Sequence, residues 1–166
     1  RYVRISGAEK DDGGGMFLIA SDPILSHITI SGNTANYGGG MFLRSSDPIL
    51  TNFIVWDNSP QSIYFWEENN PSTISIQYSD IEGGEEGIVT NDNGEVYWLE
   101  GNINTDPLFT DPENGDYTLQ AGSPCIDAGT ADLDGDGEDD IEYVGAAPDM
   151  GAFEFGGILG CTDPEA

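Results

Sequence analysis

One run of the sequence combines residue types and a spacing that could bind a metal ion. Asp132, Asp134 and Asp136 alternate with other residues, Gly137 follows, and Asp140 completes the pattern D-x-D-x-D-G-x-x-D. Alternating carboxylates before a turn let several oxygen atoms converge on one hard cation, and Ca²⁺ takes about six to eight such ligands. Acidic residues this close repel each other unless something neutralises them. The run therefore predicts a calcium-binding loop, and its alternative is a solvated acidic loop.

The acidic run is not a complete EF-hand loop. The twelfth position, which should be Glu, is Tyr143, and Glu142 stands one residue early. The run resembles instead the shorter calcium loops of integrin α-chain blades, in which the ninth position closes the site. That resemblance implies side-chain ligands from the four aspartates of the pattern and a carbonyl ligand from Glu138. We expect the bound Ca²⁺ to be structural and to hold a long loop in place.

The elements that must position this loop follow from an internal repeat. GGGMFLIASDPIL at 13–25 returns as GGGMFLRSSDPIL at 38–50, 25 residues later, and a looser third copy begins at 63. Apolar residues in each copy alternate with polar or turn residues, which indicates short strands, and the glycine triplets and prolines would break helices. Three short strands and three turns per period describe one coil of a parallel β-helix.

Stacked coils predict which side chains form the core and which hold the turns. The predicted inward residues are Met16, Leu18, Leu25, Ile28 and Ile30, with Met41, Leu43, Leu50, Phe53 and Val55 in the next coil. Asn33 and Asn58 lie one period apart, which predicts a ladder in which each amide bonds its copy. Asp22 and Asp47 precede prolines and are expected to hold turns by bonds from side chain to backbone. His27, whose copy is an asparagine, is expected to be a turn residue.

The same alternation predicts an outward-facing set of aromatic residues. Phe17, Phe42 and Tyr64 form one row, Ile19, Arg44 and Trp66 form a second, and Ile54 and Trp56 lie on another face. A flat row of aromatic rings could stack on sugar rings or pack on a partner protein. The alternative is that a terminal segment or a loop folds over these residues. The candidate ligand-binding residues are Phe17, Phe42, Tyr64, Arg44, Trp66 and Trp56.

A resemblance extends this interpretation over about residues 3 to 155. GGGMFLRSSDPILTNFIVWDNSP resembles the coils of bacterial secreted right-handed parallel β-helix proteins, and DPLF…GDYTLQAGSPCIDAG with PDMGAFEF resembles their terminal segment. The resemblance implies an all-β, right-handed parallel β-helix with an irregular C-terminal cap, and a secreted, extracellular, cell-surface location. The tail GCTDPEA resembles the opening of a short cysteine-containing module that often follows such domains, which would leave Cys161 without its module partner.

The domain organisation follows from where the period holds and where it breaks. Residues 1–100 are expected to form the coils, with an incomplete first coil, and 156–166 a linker and the start of a truncated module. Residues 101–155 are expected to form a capping segment that carries the acidic loop and plugs the apolar bore. Its plugging residues would be Leu108, Phe109, Tyr117, Leu119, Ile126, Met150, Phe153 and Phe155. A Cys125–Cys161 disulfide stays open.

Charge restricts the partners. The chain has 31 acidic and 4 basic residues, a net charge of −27, which repels phosphate backbones and anionic lipids and attracts cations or basic partners. We therefore expect neither nucleic-acid binding nor membrane insertion, and no apolar run is long enough for a membrane-spanning helix. Solubility, or adaptation to salty water, is the alternative reason for the charge. No signal peptide is present, and the start at Arg1 suggests a mature or excised piece.

Catalysis has to be weighed because many parallel β-helices cleave polysaccharides. A lyase needs a basic residue to abstract a proton, and the basic residues are Arg1, Arg4, Lys10 and Arg44, three of them in the first coil. Hydrolysis needs two carboxylates, for which Asp57, Asp80 and Glu82 are candidates, but abundant acids form such pairs by chance. We expect no catalysis, with a polysaccharide lyase or glycosidase as the alternative.

The expected function is therefore mechanical or adhesive. The chain would be a rigid, calcium-stabilised structural rod that spaces or displays a binding surface for glycans or other surface proteins. A second alternative is a subunit of an extracellular filament, which would assemble end to end by self-association through the uncapped N-terminal coil, residues 1–12.

Overall fold

The computed structural model describes residues 3–8, 11–67 and 70–157, and these form short strands joined by turns. Two 3₁₀ turns, Glu85–Gly87 and Pro112–Asn114, are the helical elements of this described part of the chain. The strands are β1 (Val3–Ser6), β2 (Met16–Ile19), β3 (Ile24–Ser26), β4 (Ile28–Ser31), β5 (Met41–Arg44), β6 (Ile49–Thr51), β7 (Ile54–Trp56), β8 (Ile63–Phe65), β9 (Ser72–Gln77), β10 (Asp80–Ile81), β11 (Gly94–Trp98), β12 (Phe109–Asp111) and β13 (Asp116–Leu119).

The first eleven strands stack into three parallel sheets. Sheet 1 is β1-β4-β7-β10, sheet 2 is β2-β5-β8, and sheet 3 is β3-β6-β9-β11. The register joins residues one sequence period apart, as in Val3 with Ile28, Met16 with Met41 and Ile24 with Ile49. The fold is therefore an all-β parallel solenoid of about 4 coils, and the fold prediction is confirmed.

The predicted inward residues form the core between the sheets. Met41, Leu43, Leu50, Phe53 and Val55 are all fully buried, and they pack in one cluster with Ile28 and Ile30. Their copies Met16, Leu18 and Leu25 in the preceding coil are partly buried and pack against the same cluster. Identical apolar side chains lie on one another from coil to coil, so the core continues along the solenoid axis.

Polar side chains join neighbouring coils at the corners. The amide of Asn33 donates through Nδ2 to Oδ1 of Asn58 at 3.0 Å, and Nδ2 of Asn58 donates to the Ile30 carbonyl at 2.8 Å, so the asparagine ladder is confirmed. Asp22 accepts from the N–H of Asp47 at 2.9 Å, and Asp47 accepts from the next coil in turn. The aspartates therefore do make bonds from side chain to backbone, but these bonds link coils instead of closing their own turns.

The glycine triplets and His27 are explained by tight corners. Gly38 has φ +60, and a Cβ on Gly39 would lie 2.2 Å from the Ser59 carbonyl of the adjacent coil. The first position therefore requires glycine because its φ is positive, and the second because the neighbouring coil is too close to admit a side chain. His27 and Asn52, one period apart, occupy the same left-handed bend with φ +54 and +57, which confirms His27 as a turn residue.

The C-terminal segment, residues 101–155, does not plug the bore, so that prediction is wrong. It forms the antiparallel hairpin β12–β13 and folds back along the outer face of sheet 1. Its apolar side chains make a second cluster, separate from the first, around the outward-facing Ile54 and Trp56. The sheet exposes apolar side chains on its outer face, and covering them removes that area from water. The cluster comprises Ile54, Phe109, Tyr117, Leu119, Cys125 and Met150, with Trp56, Ile103, Ile126, Ala128 and Phe153 beside it.

The asparagine ladder predicts a stability effect. Asn58→Ala removes a buried side chain that accepts from the N–H and amide of Asn33 and donates to two carbonyls. We expect the free energy of unfolding to fall by about 2–4 kcal/mol, because buried polar groups lose their partners. Denaturant unfolding measures this change. The control Asn114→Ala, at an exposed amide, should cost less than about 0.5 kcal/mol; equal effects of the two variants would contradict the ladder's role.

Candidate functional site

The C-terminal segment contacts every coil that it crosses on sheet 1. Arg4 in the first coil donates to the Gly115 carbonyl, and its guanidinium lies 5.3 Å from the centre of the Tyr117 ring. Thr29 in the second coil accepts from the N–H of Ala152 at 2.9 Å through its hydroxyl oxygen. These bonds are far apart in sequence, so the segment ties the coils together along the solenoid axis.

Asn52 fixes the segment at the third coil. Its Oδ1 accepts from the N–H of Thr130 at 2.8 Å, its Nδ2 donates to the Thr130 carbonyl at 2.7 Å, and Nδ2 also lies 2.8 Å from Nε2 of His27. Burial lowers the pKa of His27 to about 4, so the ring is neutral at neutral pH and accepts the bond from Nδ2. His27 thus holds the asparagine that holds the segment, which is a structural role.

Asp80 meets the segment at the fourth coil in an unusual environment. The side chain follows Ile54 in the outward row of sheet 1 and is fully buried, with Oδ1 accepting from the N–H of Thr105 at 3.1 Å and Oδ2 accepting from Sγ of Cys125 at 3.3 Å. Burial raises the pKa of Asp80 to about 6, and burial together with the Asp80 charge raises the pKa of the Cys125 thiol. Cys125 is a free thiol, and Cys161, with which a disulfide stayed open, lies outside the described residues.

The solenoid and the segment leave a crevice between them along sheet 1. It has two lobes, of about 290 Å³ and about 460 Å³, which meet at Asp57 and Pro112. The first lobe is lined by Ser31, Trp56, Asp57, Asp106, Leu108, Phe109, Pro112 and Gln120. The second is lined by Ser6, Gly7, Gly32, Asp57, Pro112, Glu113, Asn114, Gly115 and Tyr117. An indole, three carboxylates and two amides therefore border one concave surface.

Sheet 2 carries the predicted aromatic row, which we call the aromatic surface. The rings of Phe17 and Phe42 stack at 4.8 Å, and those of Phe42 and Tyr64 at 5.7 Å. Trp66 lies 5.7 Å from Phe42, and Tyr37 lies 5.2 Å from Tyr64, so the surface consists of Phe17, Tyr37, Phe42, Tyr64 and Trp66. Phe17 and Tyr37 are 45% and 44% exposed, whereas Phe42 and Tyr64 are buried beneath their neighbours.

The structure brings together some of the predicted ligand-binding residues and separates others. Phe17, Phe42, Tyr64 and Trp66 form one surface, and Arg44 is exposed at the end of β5. Trp56 lies apart from them, because it belongs to sheet 1 and packs against the C-terminal segment. Tyr37 was missed because its counterpart one coil earlier is Asp12, with which it forms a bridge, so the repeat gave no aromatic signal.

The acidic loop brings three of its predicted metal ligands together. Carboxylate oxygens of Asp132, Asp134 and Asp136 lie within 4.8 Å of one another. Asp132 also accepts from the N–H groups of Gly135 and Gly137, at 2.6 and 2.8 Å, which folds the loop around its side chain. A set of converging carboxylate oxygens fits the hard-ligand preference of Ca²⁺. This donor set is therefore compatible with the predicted ion.

Asp140, the fourth predicted side-chain ligand, stands outside that group of three. Asp140 closes the loop, because its Oδ2 accepts from the N–H of Leu133 at 2.8 Å and its own N–H donates to the Ala131 carbonyl at 2.9 Å. Glu138 is exposed, and its N–H donates to Asp136. The loop is thus held in shape by its own carboxylates.

The candidate catalytic acids lie in different environments. Asp80 is buried against Cys125, and Glu82 accepts from the N–H of Asp57 at 2.7 Å. Only Asp57 of the three borders the crevice on sheet 1. Of the four basic residues weighed for lyase chemistry, Arg1 and Lys10 lie outside the described residues, while Arg4 packs on the hairpin β12–β13.

Comparison with known proteins leaves the site to be argued from its own residues. No protein-family model, no curated protein and no solved structure matched this chain. Among the described residues, no helix is both long and apolar enough to span a membrane.

Asp80 predicts a pH-dependent stability. The folded pKa of about 6 exceeds the ordinary value of 3.8, so the folded protein binds more protons than the unfolded chain between these pH values and gains stability as pH falls through them. The difference corresponds to about 3 kcal/mol. Asp80→Asn removes the charge and keeps the acceptor for Thr105, so it should stabilise the protein at about pH 7.5, with the gain vanishing near about pH 4.

Denaturant unfolding of wild type and variant at both pH values measures this effect. His27, whose pKa is lowered in the folded protein, changes stability with pH in the opposite direction. Its contribution is the same in wild type and variant, so it cancels when the two are compared. Asp92→Asn, at an exposed carboxylate whose charge does not act on Asp80, is the control and should change little at either pH. An Asp80→Asn effect of the same size at both pH values would show that the charge is not what destabilises this position.

Proposed function

We propose that this chain is a structural and adhesive rod segment of a bacterial protein that is secreted or displayed at the cell surface. The observation that carries the proposal is that one face of the solenoid is covered and another is exposed. Sheet 1 is covered by the C-terminal segment, which crosses the coils, whereas sheet 2 presents aromatic rings with no described segment over them. One face stabilises the rod, and the other is available for contact.

The stability of the rod is supported by continuous pairing along its axis. Each coil bonds the next through backbone ladders, and side chains such as Asn33, Ser46 and Ser79 bond the backbone of neighbouring coils. The C-terminal segment adds bonds to coils that are not adjacent in sequence. Fraying of one coil therefore has to break contacts with two neighbours and with the segment, which favours cooperative unfolding.

Adhesion is supported by the exposed rings of the aromatic surface. Phe17 and Tyr37 stand on the packed rings of Phe42 and Tyr64, so their positions are set before any ligand arrives, and little side-chain entropy is lost on binding. A flat, rigid aromatic area suits the face of a sugar ring or an apolar patch of a protein. The strongly negative chain disfavours anionic glycans, so neutral glycans and other surface proteins are the proposed partners.

A structural Ca²⁺ in the acidic loop belongs to the same proposal. Asp132, Asp134 and Asp136 already converge, and a cation between them would relieve the repulsion of their charges. The loop leaves the segment after Thr130, the residue held by Asn52. Ordering the loop would therefore stabilise the part of the segment that is fixed to the third coil.

Calcium binding predicts a thermal shift that depends on two carboxylates. At a Ca²⁺ concentration about 100 times Kd, the stability should rise by about 2.7 kcal/mol, and the Tm by several degrees. Asp134→Asn with Asp136→Asn should lower the Tm measured in Ca²⁺ and abolish its dependence on Ca²⁺. Calorimetry with Ca²⁺ and with chelator measures both. The control, Glu85→Gln with Glu86→Gln, removes two exposed charges elsewhere and should leave the shift intact; an unchanged shift in the loop variant would refute the site.

The aromatic surface predicts a loss of adhesion on substitution. Phe17→Ser with Tyr37→Ser should abolish retardation of the protein in gels that contain soluble neutral polysaccharides such as mixed-linkage glucan, mannan or xylan. Tyr97→Ser, at an exposed ring on sheet 3, is the matched control and should migrate as wild type does. Wild-type protein that is retarded by none of these polysaccharides would contradict glycan adhesion. An equal loss of retardation in the Tyr97→Ser control would contradict the assignment of the adhesive site to sheet 2.

A further inference from the structure

The crevice on sheet 1 has the features of a second binding site, on a different face from the aromatic surface. Its two lobes meet at Asp57 and Pro112 and extend from the third coil to the first, because one lobe reaches Trp56 and the other reaches Gly7. The lobes, of about 290 Å³ and about 460 Å³, are of the size found for small-ligand sites. The crevice is thus an elongated groove parallel to the solenoid axis.

One corner of the solenoid forms the floor of this groove. Gly7, Gly32 and Asp57 stand one period apart in the same left-handed conformation, with φ +69, +66 and +55. A side chain at Gly7 would meet no atom within 4 Å, and one at Gly32 would approach the Tyr117 hydroxyl to 3.2 Å. The two glycines therefore keep the second lobe open, while the third coil places a carboxylate where the lobes join.

The chemistry of the walls is aromatic and acidic. Trp56 and Asp106 border the first lobe, Glu113 and Tyr117 border the second, and Asp57 borders both. The carboxylates of Asp57, Asp106 and Glu113 are exposed, so they can bond a ligand while they remain in contact with water. An indole ring and a phenol hydroxyl beside carboxylates suit a ligand that combines an apolar ring face with hydroxyl and cationic groups.

We propose that this groove binds a cationic amino-sugar oligomer, that is, a chain of sugar rings that carry protonated amines. A ring face would lie against Trp56, a sugar hydroxyl would bond the Tyr117 hydroxyl, which lies beside Gly32, and the ammonium groups would face Asp57, Asp106 and Glu113. The surrounding net charge of −27 favours a cation over a neutral or anionic sugar of the same size.

A basic peptide has the same charge, but the groove lacks what an extended peptide uses. Peptides that add to a sheet pair with free backbone groups at its edge. Here the floor consists of strands already paired within sheet 1, such as Ser31 with Trp56, and the Gly32 N–H donates to the Asp57 carbonyl at 3.0 Å. The groove therefore offers side chains and rings instead of a backbone ladder, which favours the sugar.

The proposal is independent of the adhesive role of sheet 2, since the two sites share no residue. Substitutions in the groove leave the aromatic surface unchanged, and those at Phe17 and Tyr37 leave the groove unchanged. Failure of one proposal is therefore distinguishable from failure of the other.

Isothermal titration of the whole chain with a glucosamine pentamer tests the proposal. At about pH 6 and low salt the amines are protonated, and we expect saturable binding that weakens as salt increases. Asp57→Asn with Asp106→Asn should raise Kd about tenfold or more, because two charged hydrogen-bond partners are lost. The control Glu85→Gln with Glu86→Gln removes the same charge at exposed residues that border neither lobe, and it should bind as wild type does.

A second variant and three comparison ligands distinguish a groove from general attraction to an acidic protein. Trp56→Phe keeps an aromatic side chain in the second cluster and should weaken binding with its Tm near that of wild type. The N-acetylated pentamer should bind more weakly, and a galacturonate pentamer should not bind. Equal weakening by the control variant, unchanged binding by the Asp57/Asp106 variant, or tighter binding of a lysine pentapeptide than of the sugar would each overturn the proposal.

Discussion

The register between coils is the constraint on which the rest of the structure depends. Because each strand pairs with its counterpart in the next coil, 25 residues away in the first coils and 22 or 26 in the later ones, equivalent residues lie on one another, and the inward positions form continuous apolar rows. The same register sets Asn33 on Asn58 and Asp22 beside the N–H of Asp47. A shift by one residue would turn the core side chains outward and break these bonds at once, so the register is strongly specified.

The register also creates the surface on which the C-terminal segment packs. Outward positions of sheet 1 align Arg4, Thr29, Ile54 and Asp80 in one row, and each contacts the segment by a bond or by packing. The segment thus contacts four successive coils along sheet 1. The groove follows from this packing. The hairpin β12–β13 packs on sheet 1 through its own side chains Tyr117 and Leu119, and it leaves a gap above the corner of Gly7, Gly32 and Asp57.

Repetition made most of the solenoid predictable from sequence. Met41, Leu43 and Val55 were assigned inward because their copies share the alternation, and the asparagine ladder was expected from its spacing. The C-terminal segment has no repeat, so the alternation of apolar and polar residues does not distinguish whether Phe109 and Met150 plug the bore or cover the outer face of a sheet. The decisive signal was Ile54, an outward apolar residue that needs a cover. Contacts such as Asn52 with Thr130 join residues 78 apart and leave no local pattern, so only the folded chain reveals them.

Native-state hydrogen exchange tests most directly whether the segment and the coils form one cooperative unit. The N–H groups of Thr130, Met150 and Ala152 bond to the Asn52 side chain, the Cys125 carbonyl and the Thr29 hydroxyl, and they should exchange with the same free energy as the strand amides of Ile30 and Val55. Fast exchange of the three segment amides beside slow exchange of the strands would contradict the account, because the segment would then open without unfolding the solenoid that it covers.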